Sequence, residues 1–169
     1  MITLRKGLIG SRNVTALQAF QKVAAKDQSL IENFVHSVGI NYGSALYESA
    51  SIGGFNGTNP LEMSAAYAVF GRGGYYIKPY SFTKVIFEDG TTYENKYTKE
   101  KVISEETSYM ITNVLVDTVR DSWSGSINIS GTEVAGKTGT TNLDTATQKA
   151  QNLPADLIPD SWNITNNPE

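Results

Sequence analysis

The stretch GTEVAGKTGTTN, residues 131–142, gathers the side chains best able to do chemistry. From Gly131 it satisfies G-x-x-x-x-G-K-[ST], the loop whose backbone amides cradle nucleotide phosphates. From Lys137 it is K-T-G-T, a cation and two hydroxyls around a glycine. A phosphate loop needs a helix leaving it, whose N-terminal amides and dipole hold the anion. After Thr138 the chain continues GTTNLDTATQK, with no apolar stripe at helical spacing and no later hydrophobic strand ending in a Mg²⁺-binding Asp. A P-loop NTPase is therefore a distant reading. Taken as a strand, Glu133 to Thr140 places Lys137 and Gly139 on one face and Thr138 and Thr140 on the other. Gly139 lets a ligand lie against the backbone. This set suits a substrate carboxylate beside a carbonyl; the plain alternative is a strand running into a Gly-Thr turn with an exposed lysine.

The elements that must position these residues are legible from pattern. Leu4, Leu8 and Ile9 predict a short helix stopping at Gly10, and VTALQAFQKVAAK a second with Val14, Leu17, Phe20 and Ala24 on one stripe. SLIENFVHSVG predicts a third, closed by Gly39. NYGSALYESASIGGFNGTNP reads as loop, and Pro60 opens a small-residue helix, PLEMSAAYAVFGRGG. YSFTKVIFEDGTTYEN alternates with period two across Asp89-Gly90, the signature of a hairpin. SEETSYMITNVLVDTVR, the longest helix, starts at a capping box of Ser104 and Thr107, with Glu105 and Glu106 in its first turn. The polar tail from Thr141 onward, with three of the five prolines, reads as largely loop.

Bulk composition removes whole classes of function. The chain has 169 residues, enough for one domain or a large piece of one. With 14 Lys plus Arg against 17 Asp plus Glu, it has no basic surplus to draw in nucleic acid. Cys is absent, which excludes disulfides, thiolate metal sites and a cysteine nucleophile. His36 has no carboxylate or second histidine at ligand spacing and reads as a structural helix residue, so neither metal nor cofactor is expected. No apolar run approaches the ~20 residues that cross a bilayer. Arg5 and Lys6 also interrupt the place where a signal peptide builds its apolar core, so the segment reads as soluble.

K-T-G belongs with S-x-x-K and S-x-N in penicillin-recognising serine enzymes, and Ser11-Arg12-Asn13 supplies an S-x-N ahead of it. Taken alone, a Ser or Asn before an apolar helix is ordinarily an N-cap. The wider text is more specific. LRKGLIGSRNVTALQ, NPLEMSAAYAVFGRGGYYIKPY, KVISEETSYMITNVL and VAGKTGTTN, in that order, resemble the transpeptidase domain of class A penicillin-binding proteins, and Asp160-Ser161-Trp162 resembles the D-x-W that follows there. The resemblance implies an α/β (α+β) fold of the penicillin-binding-protein and β-lactamase type, an antiparallel sheet flanked by helices. It also implies a serine acyl-transferase that cross-links peptidoglycan stem peptides at D-Ala-D-Ala, on the extracytoplasmic face of a bacterial membrane, and that takes β-lactams as mimics. By the same analogy Ser11 relays a proton to the leaving amine and Asn13 bonds the substrate backbone. Lys137 keeps the pocket positive and holds the proton network. Thr138 and Thr140 bind the terminal carboxylate, with Gly139 between them and the Thr140 N–H as half of the oxyanion hole.

One departure is central. The family's S-x-x-K, carrying the nucleophile and its base, precedes S-x-N by several tens of residues, whereas here ten residues precede Ser11. The one literal match, Ser81-Phe82-Thr83-Lys84, falls in an alternating strand pattern, where positions i and i+3 point to opposite faces. The expectation is a partial transpeptidase domain over residues 1–169, short of the S-x-x-K segment and of the last strands. Its partner would be an N-terminal fragment of the same domain, and this fragment alone would be inactive. A non-catalytic penicillin-sensing or scaffolding relative is the alternative; a pure scaffold needs neither S-x-N nor K-T-G-T.

Overall fold

The structure, a computed structural model, describes residues 2–167 except 44, 56, 123–126, 128, 142–144 and 155–159. Helix α1 (Leu4–Ile9) begins at Thr3, whose hydroxyl accepts the Lys6 N–H at 3.2 Å. Helices α2 (Asn13–Ala24) and α3 (Ser29–Ser37) follow. Gly39, at φ +79, turns the chain out of α3, and a Cβ there would meet the Tyr76 hydroxyl at 2.0 Å. The expected loop that comes next contains a 3₁₀ turn at Glu48–Ile52.

Helix α4 (Pro60–Gly71) starts with Pro60 at its first position and the Asn59 side chain accepting the Glu62 N–H at 3.0 Å. Its Ala65, Ala66 and Val69 are buried, and Val38, Ile40, Ala66 and Val69 form the core with Phe55, Met63 and Ile103 packed against them. Helix α5 (Glu105–Ser122) is the longest, as expected. Ser104 accepts the Thr107 N–H at 3.1 Å; in return Thr107 meets the Ser104 hydroxyl, the shorter reach of Thr standing in for Glu. The face of α5 that carries Ser108, Thr112, Leu115 and Val119 is buried. The Ser108 and Thr112 hydroxyls donate to the Phe70 carbonyl at 2.6 and 2.9 Å, supplying a last-turn carbonyl of α4 that the helix leaves without a partner. That pins α4 to α5.

The strands form three antiparallel pairs among the described residues: β1 (Tyr75–Tyr76) with β4 (Glu100–Lys101), β2 (Lys84–Ile86) with β3 (Thr92–Glu94), and β5 (Ala135–Thr141) with β6 (Asp160–Asn166). The β2–β3 pair is the expected hairpin, turned at Gly90 with φ +82, though its pairing starts at Lys84 and leaves Ser81 in a bend. The expectation for the tail needs correction. It holds a short helix α6 (Thr145–Ala150) and all of β6. In β6 only Trp162 and Ile164 supply apolar positions, too few for period two to register. Helix α5 packs against α1, α4 and β5, and so lies at the centre of everything that carries the site.

Candidate active site

Ser11 is presented by the end of α1. The Arg12 N–H donates to the Gly7 carbonyl at 2.9 Å and the Ser11 N–H to that of Leu8 at 3.1 Å, a Schellman closure. The left-handed residue that completes the motif is Ser11, at φ +48. Glycine or asparagine ordinarily takes that place, and strain of this kind costs about 1–3 kcal/mol and gathers at functional sites. Helix α2 then takes Arg12 as its N-cap, without a side-chain capping bond. The ordinary capping role for Ser11 is therefore unfilled, and Asn13 is the exposed first residue of α2. Helices α1 and α2 cross closely: a Cβ on Gly7 would lie 2.4 Å from Thr15 Cγ2, so glycine is required there.

Lys137 comes to Ser11 from β5. Its ammonium donates to Ser11 Oγ at 2.8 Å and to the Thr138 carbonyl at 2.8 Å, across a sequence separation of 126. Burial pulls its pKa below the ordinary lysine value, because the charged form is the one that loses hydration. Among the described residues no carboxylate pairs with it. The serine oxygen thus accepts from a cation, which leaves its own proton available to a third group.

Strand β5 pairs with β6 in the register Lys137 with Ile164, Thr138 with Asn163, Gly139 with Trp162 and Thr140 with Ser161. Alternation puts Lys137 and Gly139 on one face, and the exposed Thr138 and Thr140 on the other with Asn163 and Ser161 across from them. The second edge of β5 has no partner strand among the described residues, so an extended ligand could add to it through main-chain bonds. Along β5, Thr138, Gly139 and Thr140 are exposed and Lys137 is half-buried. Gly139 is not required by packing: a Cβ would find only Trp162 Cβ at 3.7 Å, an ordinary contact, and the backbone φ is not positive.

Two sequence readings fall on this geometry. Gly136, Lys137 and Thr138 lie inside a continuous strand, so the phosphate-loop conformation is absent. A helix does follow, contrary to expectation, but only after the strand has run to Thr141. The Ser81 to Lys84 segment is a bend entering β2, not a helix, and the Lys84 ammonium lies 3.9 Å from Glu94 across the hairpin. His36 stacks on Tyr42 at 4.6 Å, and among the described residues no cluster of ligating side chains could hold a metal. The left-handed turn at Ser11 and the Thr138 carbonyl that steadies Lys137 carry no sequence signal.

The profile of the penicillin binding protein transpeptidase domain matches residues 1–165. Penicillin-binding protein 1A/1B of Bacillus subtilis is 36% identical over 99% of this chain, which spans 18% of that protein. Penicillin-binding protein 1A of Streptococcus pneumoniae is 33% identical over 83% of the chain and 20% of its own length. The chain thus spans about a fifth of these relatives. Among solved structures, PBPA of Mycobacterium tuberculosis superposes with a TM-score of 0.78 over 99% of this chain and 42% of that one, at 18% identity, and an imipenem acyl-enzyme complex of that protein gives 0.77. The D,D-transpeptidase domain from Eggerthella lenta gives 0.74 at 20% identity, over 99% of this chain and 45% of that one. At such identities the superpositions speak for the fold; the profile and the curated relatives place the chain in the penicillin-binding-protein transpeptidase family, in its class A branch.

Proposed function

We propose that this chain carries the S-x-N and K-T-G-T half of a serine D-Ala-D-Ala transpeptidase site that cross-links peptidoglycan stem peptides and is acylated by β-lactams. The observation that carries the reading is the 2.8 Å bond from the Lys137 ammonium to Ser11 Oγ. In this reading a serine on a helical S-x-x-K segment outside these 169 residues gives its proton to the lysine of that segment and attacks the D-Ala-D-Ala carbonyl. The new C–O bond drives charge onto the carbonyl oxygen, which the Thr140 N–H and the nucleophile's own N–H receive. The C–N bond then breaks as the Ser11 hydroxyl gives its proton to the leaving D-Ala amine and takes in its place the proton that the S-x-x-K lysine received from the nucleophile. Lys137 supplies the positive field and a replacement hydrogen bond to Ser11 Oγ. Asn13, exposed two residues after Ser11, holds the substrate backbone, and Thr138 and Thr140 hold its carboxylate. A second stem amine takes the acyl group by the reverse sequence. The work is done on the extracytoplasmic face of the bacterial membrane.

The test compares two lysines in the complete domain. Lys137→Ala should slow labelling by a fluorescent penicillin by at least ~100-fold, the scale of losing an acid-base or electrostatic group, while Lys84→Ala leaves it unchanged. The opposite ranking would overturn the assignment.

A further inference from the structure

The Ser11–Lys137 bond joins the end of α1 to β5, so whatever places α1 relative to β5 sets its length. Helix α1, which presents Ser11, is short and has only Leu8 and Ile9 half-buried among its apolar side chains. It has six residues, Gly7 is the one it buries, and Leu4 is 71% exposed. A helix this short does not hold its place by its own stability. The tight Gly7–Thr15 crossing ties it to α2, but α2 follows Ser11 directly in the chain and, among the described residues, packs chiefly on α1, α3 and the 3₁₀ turn. The link toward Lys137 runs through α5, which packs against both α1 and β5.

Arg5, in the first turn of α1, makes that link. Its guanidinium forks onto two acceptors one turn apart on α5, donating Nη1–H to Asp117 Oδ2 and Nη2–H to Asn113 Oδ1 at 2.8 Å. The Asp117 side chain is only 14% exposed, and its other oxygen accepts Arg120 Nη2–H at 2.6 Å. Two acceptors engaged by one planar fork fix the direction of α1 as well as its distance, which a point charge could not do.

We propose that Arg5 and Asp117 are positioning residues for the proton relay: the fork holds α1 on α5 at the angle that brings Ser11 Oγ within hydrogen-bond reach of Lys137. This rests on the reading of Ser11 and Lys137 given above. Neither residue touches the substrate; both act through Ser11. The fork, and not the charge cluster as a whole, is the working part, because Arg120 binds the same carboxylate from within α5 itself.

The test uses the complete domain and separates the acylation rate constant from the dissociation constant of the preceding non-covalent β-lactam complex, with the active fraction titrated for each variant. Arg5→Met keeps the stem and removes the fork. It should lower the acylation rate constant at least ~10-fold, since a 1 Å misplacement of a reacting group costs about 100-fold, and move the dissociation constant by less than about twofold. Arg5→Lys, which keeps the charge but cannot span both acceptors, should fall between Arg5→Met and wild type, and serves the comparison if Arg5→Met folds poorly. Arg120→Met should acylate as wild type does. An unchanged rate constant in both Arg5 variants, a loss confined to active fraction, or an equal loss in Arg120→Met would overturn the proposal. Lys137→Met in the same series separates the two layers. If it acylates normally, the reading of the pair is wrong; if it is impaired while the Arg5 variants are not, only the fork proposal falls.

Discussion

Gly139→Ala separates a glycine kept for the fold from one kept for a ligand. At Gly139 the added methyl group meets Trp162 Cβ at 3.7 Å and nothing closer, and the backbone is one that any residue adopts. The fold therefore has no steric objection to alanine. Glycine within a strand is destabilising by roughly 0.5–1 kcal/mol relative to alanine, so the variant should be as stable as the parent or slightly more so. A ligand lying along β5 meets the methyl group instead. Forcing a methyl into a close contact costs about 1–3 kcal/mol, equivalent to about 5- to 150-fold in rate. The assay pairs thermal unfolding of the complete domain with the second-order rate of penicillin acylation. Slower acylation at unchanged or raised melting temperature is the expected result. A lowered melting temperature would show that packing does require the glycine, and unchanged acylation would show that the ligand does not pass this edge.

Three further outcomes follow from the same geometry. Thr138→Val with Thr140→Val removes two hydroxyl donors, each worth about 1.5–3 kcal/mol to a charged partner; acylation by carboxylate-bearing β-lactams should fall, and an equal loss with a β-lactam esterified at that carboxylate would contradict the assignment. Because burial lowers the Lys137 pKa and the proposed relay uses its charged form, acylation should decline as pH rises through that lowered value, below where an ordinary lysine titrates. In a pH–rate series Lys137→Arg should lose this basic limb, since guanidinium stays charged; an identical limb in both proteins would assign it to another group. Ser108→Ala combined with Thr112→Val leaves the Phe70 carbonyl without either of its hydroxyl donors, and chemical denaturation should show a loss of about 1–3 kcal/mol, against little or none if water takes their place.

The helices and the hairpin were legible because their signals are local. Pro60, Ser104 and Asp89-Gly90 each act within a few residues of themselves, and the structure uses each one. The facing of Lys137 and Gly139 against Thr138 and Thr140 also followed from strand periodicity alone. What stayed hidden depends on distance or on conformation. β6 is half polar because one of its faces is exposed beside Thr138 and Thr140, so its tail read as loop. The left-handed Ser11 has no sequence mark, since the residue that usually announces such a turn is glycine. Arg5 and Asp117 are separated by 112 positions, and only folding brings them together. Even the phosphate-loop pattern at Gly131 could be set aside only by what surrounds it: the strand that runs through Lys137 is what rules it out.

The most direct measurement is the site of acylation. The complete domain would be trapped with a labelled penicillin, digested and mapped by mass spectrometry, in parallel with residues 1–169 alone and with those residues mixed with the preceding segment in trans. The account predicts one adduct, on the serine of a helical S-x-x-K outside these 169 residues, formed in the complete domain and in the mixture but not on the isolated chain. A stoichiometric adduct on Ser11 or Ser81, or on the isolated chain at any serine, would contradict it.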